Sequence, residues 1–287
     1  RSAVRESRAL MNILVSGSGA SGSWGIRGEQ LGRAIGATVI PKARDVAAFD
    51  LAVLVKRPSE ELVARVHKAG IPLVWDVVDS WPQPQGNDWC EAEALGWLKA
   101  KFNEIRPTAI VAATRAMADD CAEFGVPVLC LPHHARPGLK LVPIRPMKVV
   151  GYEGGEPHLG TWAKWLHGEC KRRGWRFVIN PASITECDVL VALREKTGYA
   201  PTNWKSNVKL ANAQAAGIPI ICAPEAGYIE TASGAEWFCE TRDQVRSALD
   251  ALEPMTTRAA ISSHMVTADP RLSEVAKTYR AWLNTLI

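Results

Sequence analysis

Over almost the whole chain, short apolar runs alternate with segments in which apolar positions recur at helical spacing. In the first half the runs are Asn12–Ser16, Ala37–Ile40, Leu51–Val55, Leu73–Asp76, Ala109–Ala112 and Val126–Leu131. They are apolar throughout rather than at every second position, which predicts strands covered on both faces, as in a parallel sheet. Helices are predicted between them over Arg27–Ile35, Ser59–Lys68, Ala92–Phe102 and Arg115–Phe124. Each is followed within a few residues by a stop, namely Gly36, Gly70, Pro107 or Gly125. The first half therefore reads as a doubly wound α/β domain.

Pro132, Pro137, Pro143 and Pro146 then mark an extended connection, after which the alternation restarts. Strands are predicted at Lys148–Tyr152, Arg176–Asn180, Val189–Leu193 and Pro219–Ala223, and helices at Leu159–Arg173, Ser206–Ala216 and Arg242–Leu252. Trp237-Phe238-Cys239 adds a last short strand, and Arg271–Leu286 reads as an amphipathic helix able to rest on either domain. The expected organisation is a Rossmann-like domain over 11–140, a smaller one over 147–262 and a terminal helix over 270–287. Arg1–Leu10 is expected to be a leader outside the fold, with Met11 the natural start. Two such domains facing one another leave a cleft at the carboxyl ends of their strands, where these sheets bind ligands.

Composition narrows the class. The 287 residues are 47% hydrophobic and 22% charged, an ordinary globular balance that excludes disorder and collagen-like repeats. No apolar run approaches the roughly 20 residues of a membrane-spanning helix, so no transmembrane segment is expected. The seven cysteines have no CxxC spacing and several lie in apolar runs, which points to free thiols and a cytoplasmic location. A net charge of +4 permits a nucleic-acid partner without requiring one. Tryptophan is over-used, at 11 residues against 4 Tyr and 5 Phe.

Three groups lie at first-domain strand ends. Gly17-Ser18-Gly19-Ala20-Ser21-Gly22 spells GxGxxG directly after the first strand, and Gly17, Gly19 and Gly22 there would let backbone approach a phosphate or an acceptor. The acidic residue that holds a ribose about 20 positions on is missing, since the region reads Ile40-Pro41-Lys42-Ala43-Arg44. The loop is then a turn shaped for another ligand or, with Lys42 or Arg44 on a 2′-phosphate, part of an NADP site. Trp75-Asp76-Val77-Val78-Asp79-Ser80-Trp81 places Asp79 to take a proton from an attacking hydroxyl or bind an acceptor, or merely to cap its loop. Pro132-His133-His134-Ala135-Arg136 offers His133 as a second catalytic or hydrogen-bonding group. Adjacent histidines point apart, and no DxD motif is present, so no metal site is expected. A basic stretch with interleaved Trp, Lys164–Arg176, suits a helix end or a nucleic-acid backbone.

The most informative stretch is Trp204-Lys205-Ser206-Asn207-Val208-Lys209-Leu210, continuing to Gly217-Ile218-Pro219. A helix start flanked by Lys205 and Lys209 is a natural seat for a diphosphate. The stretch resembles the donor-binding segment of GT-B glycosyltransferases, particularly the group 1 (GT4-like) set, with its K-x-S-N-x-K-L helix followed by a strand. The loop Pro224–Glu230 and the glycine-bearing Val149–Gly155 are similar to further parts of that donor domain. The resemblance implies two Rossmann-like domains facing a cleft and a nucleotide-diphosphate sugar, UDP- or GDP-linked, as co-substrate without another cofactor. It implies donor contacts by Lys205, Ser206, Asn207, Lys209, Arg194, Gly154, Gly155, Tyr228 and Glu230. The family's E-x7-E pair falls on Trp204 and Asn212, so Asn212 or another residue must meet the ribose.

The expected activity is thus metal-independent transfer of a hexose or pentose to an acceptor hydroxyl. A modified base in DNA is among the compatible acceptors, as are small molecules, lipid-linked glycans and proteins. The alternatives are an NADP-linked oxidoreductase built on the GxGxxG loop, and a non-catalytic glycan- or nucleic-acid-binding module on the same fold. Neither the acceptor nor the oligomeric state is legible in the sequence.

Overall fold

The computed structural model describes residues 11–195 and 198–287, so Arg1–Leu10, the expected leader, lies outside the described residues. The first domain runs β1 (Ile13–Gly17), a π-helix (Trp24–Leu31) continuing into α1 (Gly32–Ala34), β2 (Thr38–Val39), β3 (Leu51–Val55), α2 (Glu60–Ala69), β4 (Leu73–Val78), α3 (Glu91–Ile105), β5 (Ala109–Ala112), α4 (Arg115–Ala122) and β6 (Val128–Cys130). After an extended connection come β7 (Val149–Tyr152), α5 (Thr161–Arg172), β8 (Arg176–Ile179), β9 (Val189–Ala192), α6 (Tyr199–Trp204), α7 (Val208–Ala216), β10 (Ile220–Cys222), α8 (Ala226–Thr231), β11 (Trp237–Phe238), α9 (Arg242–Leu252), α10 (Met255–Met265) and α11 (Leu272–Leu283).

The two sheets have six and five strands, ordered β2-β1-β3-β4-β5-β6 and β11-β10-β9-β7-β8, and their pairings are parallel. Read from its own first strand, each domain begins with the order 2-1-3-4-5. The direction of winding therefore reverses beside β1 in one domain and beside β7 in the other. Ligands of doubly wound sheets bind at that reversal, outside the strand carboxyl ends. Central strands β1, β3, β4 and β5 are buried at every position, as their uninterrupted apolar runs require.

Local chemistry fixes the ends. Ser59 caps α2 by accepting the Leu62 amide at 3.3 Å, and Gly70 ends it in the left-handed region. Thr241 and Gln244 form a reciprocal capping box on α9. Helices α6, α8 and α10 were not expected from the sequence. The first two are six residues each, too short for a periodic signal to emerge.

Each sheet has a core on both faces. Helix α11 joins the first domain, with Ala276, Tyr279 and Leu283 packed among Ile13, Val15 and Leu51. Helix α6, though it follows β9, also inserts into the first domain, where Ala200 and Trp204 are fully buried beside Leu98 and Met117. The Trp204 indole donates to Asp120 at 2.7 Å, and Tyr199 donates to the same carboxylate at 2.9 Å. Trp204 is thus a bolt between domains. Among the described residues no helix is long and apolar enough to cross a membrane. The seven thiols are unpaired, five of them buried.

Candidate functional site

The two reversal points face one another. On the first domain, β3 is followed by Lys56, at a φ of 63°, and β4 by Asp79. From the second domain, Lys205 precedes α7. Asp79 is 4% exposed and lies between the two cations, 2.8 Å from the Lys56 Nζ and in contact with the Lys205 Nζ. Burial alone would raise its carboxyl pKa, but Lys205 and Lys56 outweigh it and hold the group well below the usual carboxylate range. Lys205 also stands 5.6 Å above the Trp81 ring.

The second-domain wall is strongly cationic. Arg194, just beyond β9, pairs with Glu225 at 2.9 Å in a buried contact that leaves its Nη1 without a partner among the described residues. Lys209 lies over the Tyr152 ring at 4.5 Å, and its pKa is pushed down to about 8 by burial and then by Lys205, with Glu225 opposing. His158, in the turn after Gly154–Gly155, is also lowered, first by burial and then by Arg194, Lys205 and Lys209. The turn before α7 packs so closely on α8 that a Cβ on Gly227 would collide with the Lys205 carbonyl. Two cavities flank this wall, each lined from both domains. One of about 210 Å³ lies among Pro84, Asn87, His158 and Arg194, and one of about 200 Å³ among Gln30, His134, Glu153 and Lys209.

The residues expected from the sequence divide into two sets. Lys205, Lys209, Arg194, Gly154 and Gly155 gather at the second reversal point, with Asp79 opposite. Ser206 and Asn207 stand at the start of α7, but the Asn207 side chain is committed across the domain boundary: its Oδ1 accepts the His133 amide at 2.7 Å and its Nδ2 donates to the His133 carbonyl at 3.2 Å. The His133 ring is buried with neither nitrogen bonded, and burial followed by Arg27 keeps it neutral. Asn212 is a strut as well, accepting the Arg136 amide at 2.8 Å and donating to Glu153 at 2.9 Å.

The remaining residues are enclosed or engaged by the protein itself. Tyr228 is 1% exposed within the second core. Glu230 reaches across to cap α4, accepting the Arg115 and Ala116 amides at 2.6 and 3.1 Å. In the GxGxxG turn, Gly17 abuts the Trp24 ring and Gly19 abuts Pro41, while Gly22 has open surroundings. The space over the first two glycines is filled by the protein's own side chains, and Lys42 and Arg44 are exposed. An NADP site there is not favoured. Asp76 faces away from the cleft toward Arg27 at 3.7 Å, and its pKa is raised by burial against the pull of that cation. Trp75, Trp81 and Trp204 are fully buried and are not stacking platforms.

Sequence reasoning missed Lys56, Glu153 and His158. The signal for Lys56 was its place directly after an apolar strand, the same signal that selected Asp79. Glu153 belonged to the glycine-bearing loop that was singled out for its glycines alone.

No protein-family model and no curated protein matches the chain. Solved structures do. Trehalose-6-phosphate synthase OtsA superposes with a TM-score of 0.56 at 10% identity, over 85% of this chain and 74% of that one. The E. coli trehalose-6-phosphate structure bound with UDP-2-fluoro glucose gives 0.54 at 11% identity, over 82% and 72%. A mutant of S. aureus TarM in complex with fondaparinux, α-GlcNAc-glycerol and UDP gives 0.57 at 10% identity, over 82% of this chain but 55% of that one. The fold is GT-B. These GT-B neighbours are glycosyltransferases, and at such identities the likeness is one of architecture: two doubly wound domains with reversal points face to face.

Proposed function

We propose that the protein is a glycosyltransferase that moves a sugar from a UDP- or GDP-linked donor to an acceptor hydroxyl, with fixed cations rather than a metal ion meeting the leaving-group charge. The observation carrying this reading is the convergence of Lys205, Lys209 and Arg194 with the amino end of α7 at the second reversal point, opposite Asp79. In the transfer the acceptor oxygen bonds to the anomeric carbon. The bond from that carbon to the diphosphate oxygen breaks with its electron pair, and a nucleoside diphosphate leaves. Preorganised ammonium and guanidinium groups in a partly dry site stabilise that developing charge. The Gly154–Gly155 turn gives the donor room beside His158, and Glu153, presented by Asn212, supplies the carboxylate for the ribose.

The acceptor proton goes to Asp79 or to neutral His133. While both lysines hold Asp79 it is a weak base. A diphosphate that draws Lys205 away leaves Lys56 as its partner, which raises the carboxyl pKa when a base is needed.

Calorimetric titration with UDP- and GDP-sugars in EDTA tests the donor site. Lys205→Ala is expected to weaken donor binding roughly 10- to 100-fold, the worth of charge-assisted hydrogen bonds of about 1.5–3 kcal/mol. Unchanged affinity in that variant would refute the assignment, and binding abolished by EDTA would refute metal independence.

A further inference from the structure

A sizeable cavity lies outside the cleft. It is a groove of about 590 Å³ on the first domain between α2 and α3, within the range of small-molecule sites. Fully buried Trp75 forms its floor, Val63 and Ala64 of α2 form one wall, and Trp97 and Ile105 of α3 the other. Trp75 already donates its indole N–H to the Lys56 carbonyl at 3.0 Å, so the floor offers no unmet polar group. Trp97, half-buried, is the aromatic surface that a ring can reach. At the far end the His67 Nε2 meets the Ile105 carbonyl at 2.8 Å and ties the helices together.

The near end opens at Lys56, Ser80 and Pro82, and Lys56 is the residue that holds Asp79. The groove thus starts beside the proposed reaction centre and runs away from the donor wall. Its lining cations are Lys56, Arg57, Lys101 and Arg106, against the carboxylates Glu60 and Glu104. Glu104 is engaged by Lys101 at 2.5 Å. The balance is cationic around an apolar slot with one accessible aromatic face.

We infer that this groove seats a nucleotide as acceptor, its planar base against Trp97 and its phosphate among the rim cations. Base–aromatic stacking and phosphate–cation pairing are the two contacts that such a lining supplies. The inference rests on the transferase reading for the word acceptor, but binding in the groove is measured without a donor. A free nucleotide and a strand present the same base and phosphate, and the probes separate these two sources.

Thymidine monophosphate, a short single-stranded oligothymidylate and its duplex with oligoadenylate are titrated calorimetrically at low and moderate salt. At least one is expected to bind, weakening as salt rises. Trp97→Ala should reduce that affinity about tenfold, and Arg106→Ala should lessen its salt dependence. UDP-sugar affinity is the control for folding and for the donor site, and it should be unchanged in both variants. Binding of the mononucleotide alone assigns a free nucleotide, and tighter binding of a strand assigns a nucleic acid. The inference is overturned if none of the probes binds, or if the bound probe is indifferent to Trp97→Ala in a protein that retains donor affinity. Loss of donor binding in Lys205→Ala, whatever the nucleotide result, tests the transferase reading separately.

Discussion

The two reversal points share a topology and differ in what fills them. In the first domain the glycine-rich turn after β1 is occupied from within: a Cβ at Gly17 would stand 3.1 Å from the Trp24 ring, and one at Gly19 would stand 2.7 Å from Pro41. In the second domain the turn after β7 is open at Gly155, where a Cβ would meet nothing nearer than His158 at 3.5 Å, while one at Gly154 would stand 2.9 Å from the Tyr152 hydroxyl. Around the first turn the glycines serve packing. Around the second, Arg194 and Lys209 line open cavities. A glycine motif after a strand therefore marks a place where backbone comes close to something, and only the neighbouring side chains decide whether that something is a ligand.

Exchanging small residues between the two turns breaks the comparison most sharply. Gly28→Ala, in the π-helix that follows the first turn, would put a Cβ 2.5 Å from the Trp24 ring and should cost about 1–3 kcal/mol of stability in a denaturant titration, because the buried ring has to move, while donor affinity of the folded fraction stays the same. Gly155→Ala should leave stability unaltered and weaken donor binding. The reverse pattern would place the ligand in the first domain.

Asp79→Asn comes next. It removes a partner from two partly shielded lysines, at a cost of about 1–3 kcal/mol, between the values for exposed and buried pairs. Asp79 has a folded pKa below its unfolded value of about 3.9. Its stabilisation is therefore complete above about pH 5 and lost as pH falls through the lower folded value. The difference between wild type and Asp79→Asn should accordingly shrink below about pH 4 in urea titrations.

The smallest effect concerns Lys209, with its pKa of about 8. Its charge favours a diphosphate and is lost as pH rises through that value. Nucleoside diphosphate affinity should then fall between about pH 7 and pH 9, the range that brackets that pKa, and Lys209→Met should remove this dependence. A wild-type affinity flat across the range would separate Lys209 from the donor wall.

Much of the framework was legible. Leu51–Val55 and Ala109–Ala112 stand where the apolar runs place them, since a strand buried on both faces must be apolar at every position. Lys205 and Asp79 were singled out because strand ends and helix starts in this architecture have a known direction, and the two side chains meet. Tyr228 and Glu230 were carried over by resemblance, and the structure places one in a core and the other on the neighbouring domain's helix. Nothing local distinguishes a buried Tyr from one lining a cleft.

Trp204 shows the limit most clearly. Its position in the sequence is beside Lys205, and its position in space is inside the other domain, hydrogen-bonded to Asp120, 84 residues away. The sequence by itself determined the two parallel sheets, their order of elements and the cationic start of α7, because these follow from periodicity and from the direction of the chain. Only the tertiary structure decided that Lys56 and Lys205 meet on Asp79, that the first glycine turn is filled, and that a groove opens between α2 and α3. Those outcomes depend on which side chains from distant segments reach the same few cubic ångströms, and periodicity carries no information about that.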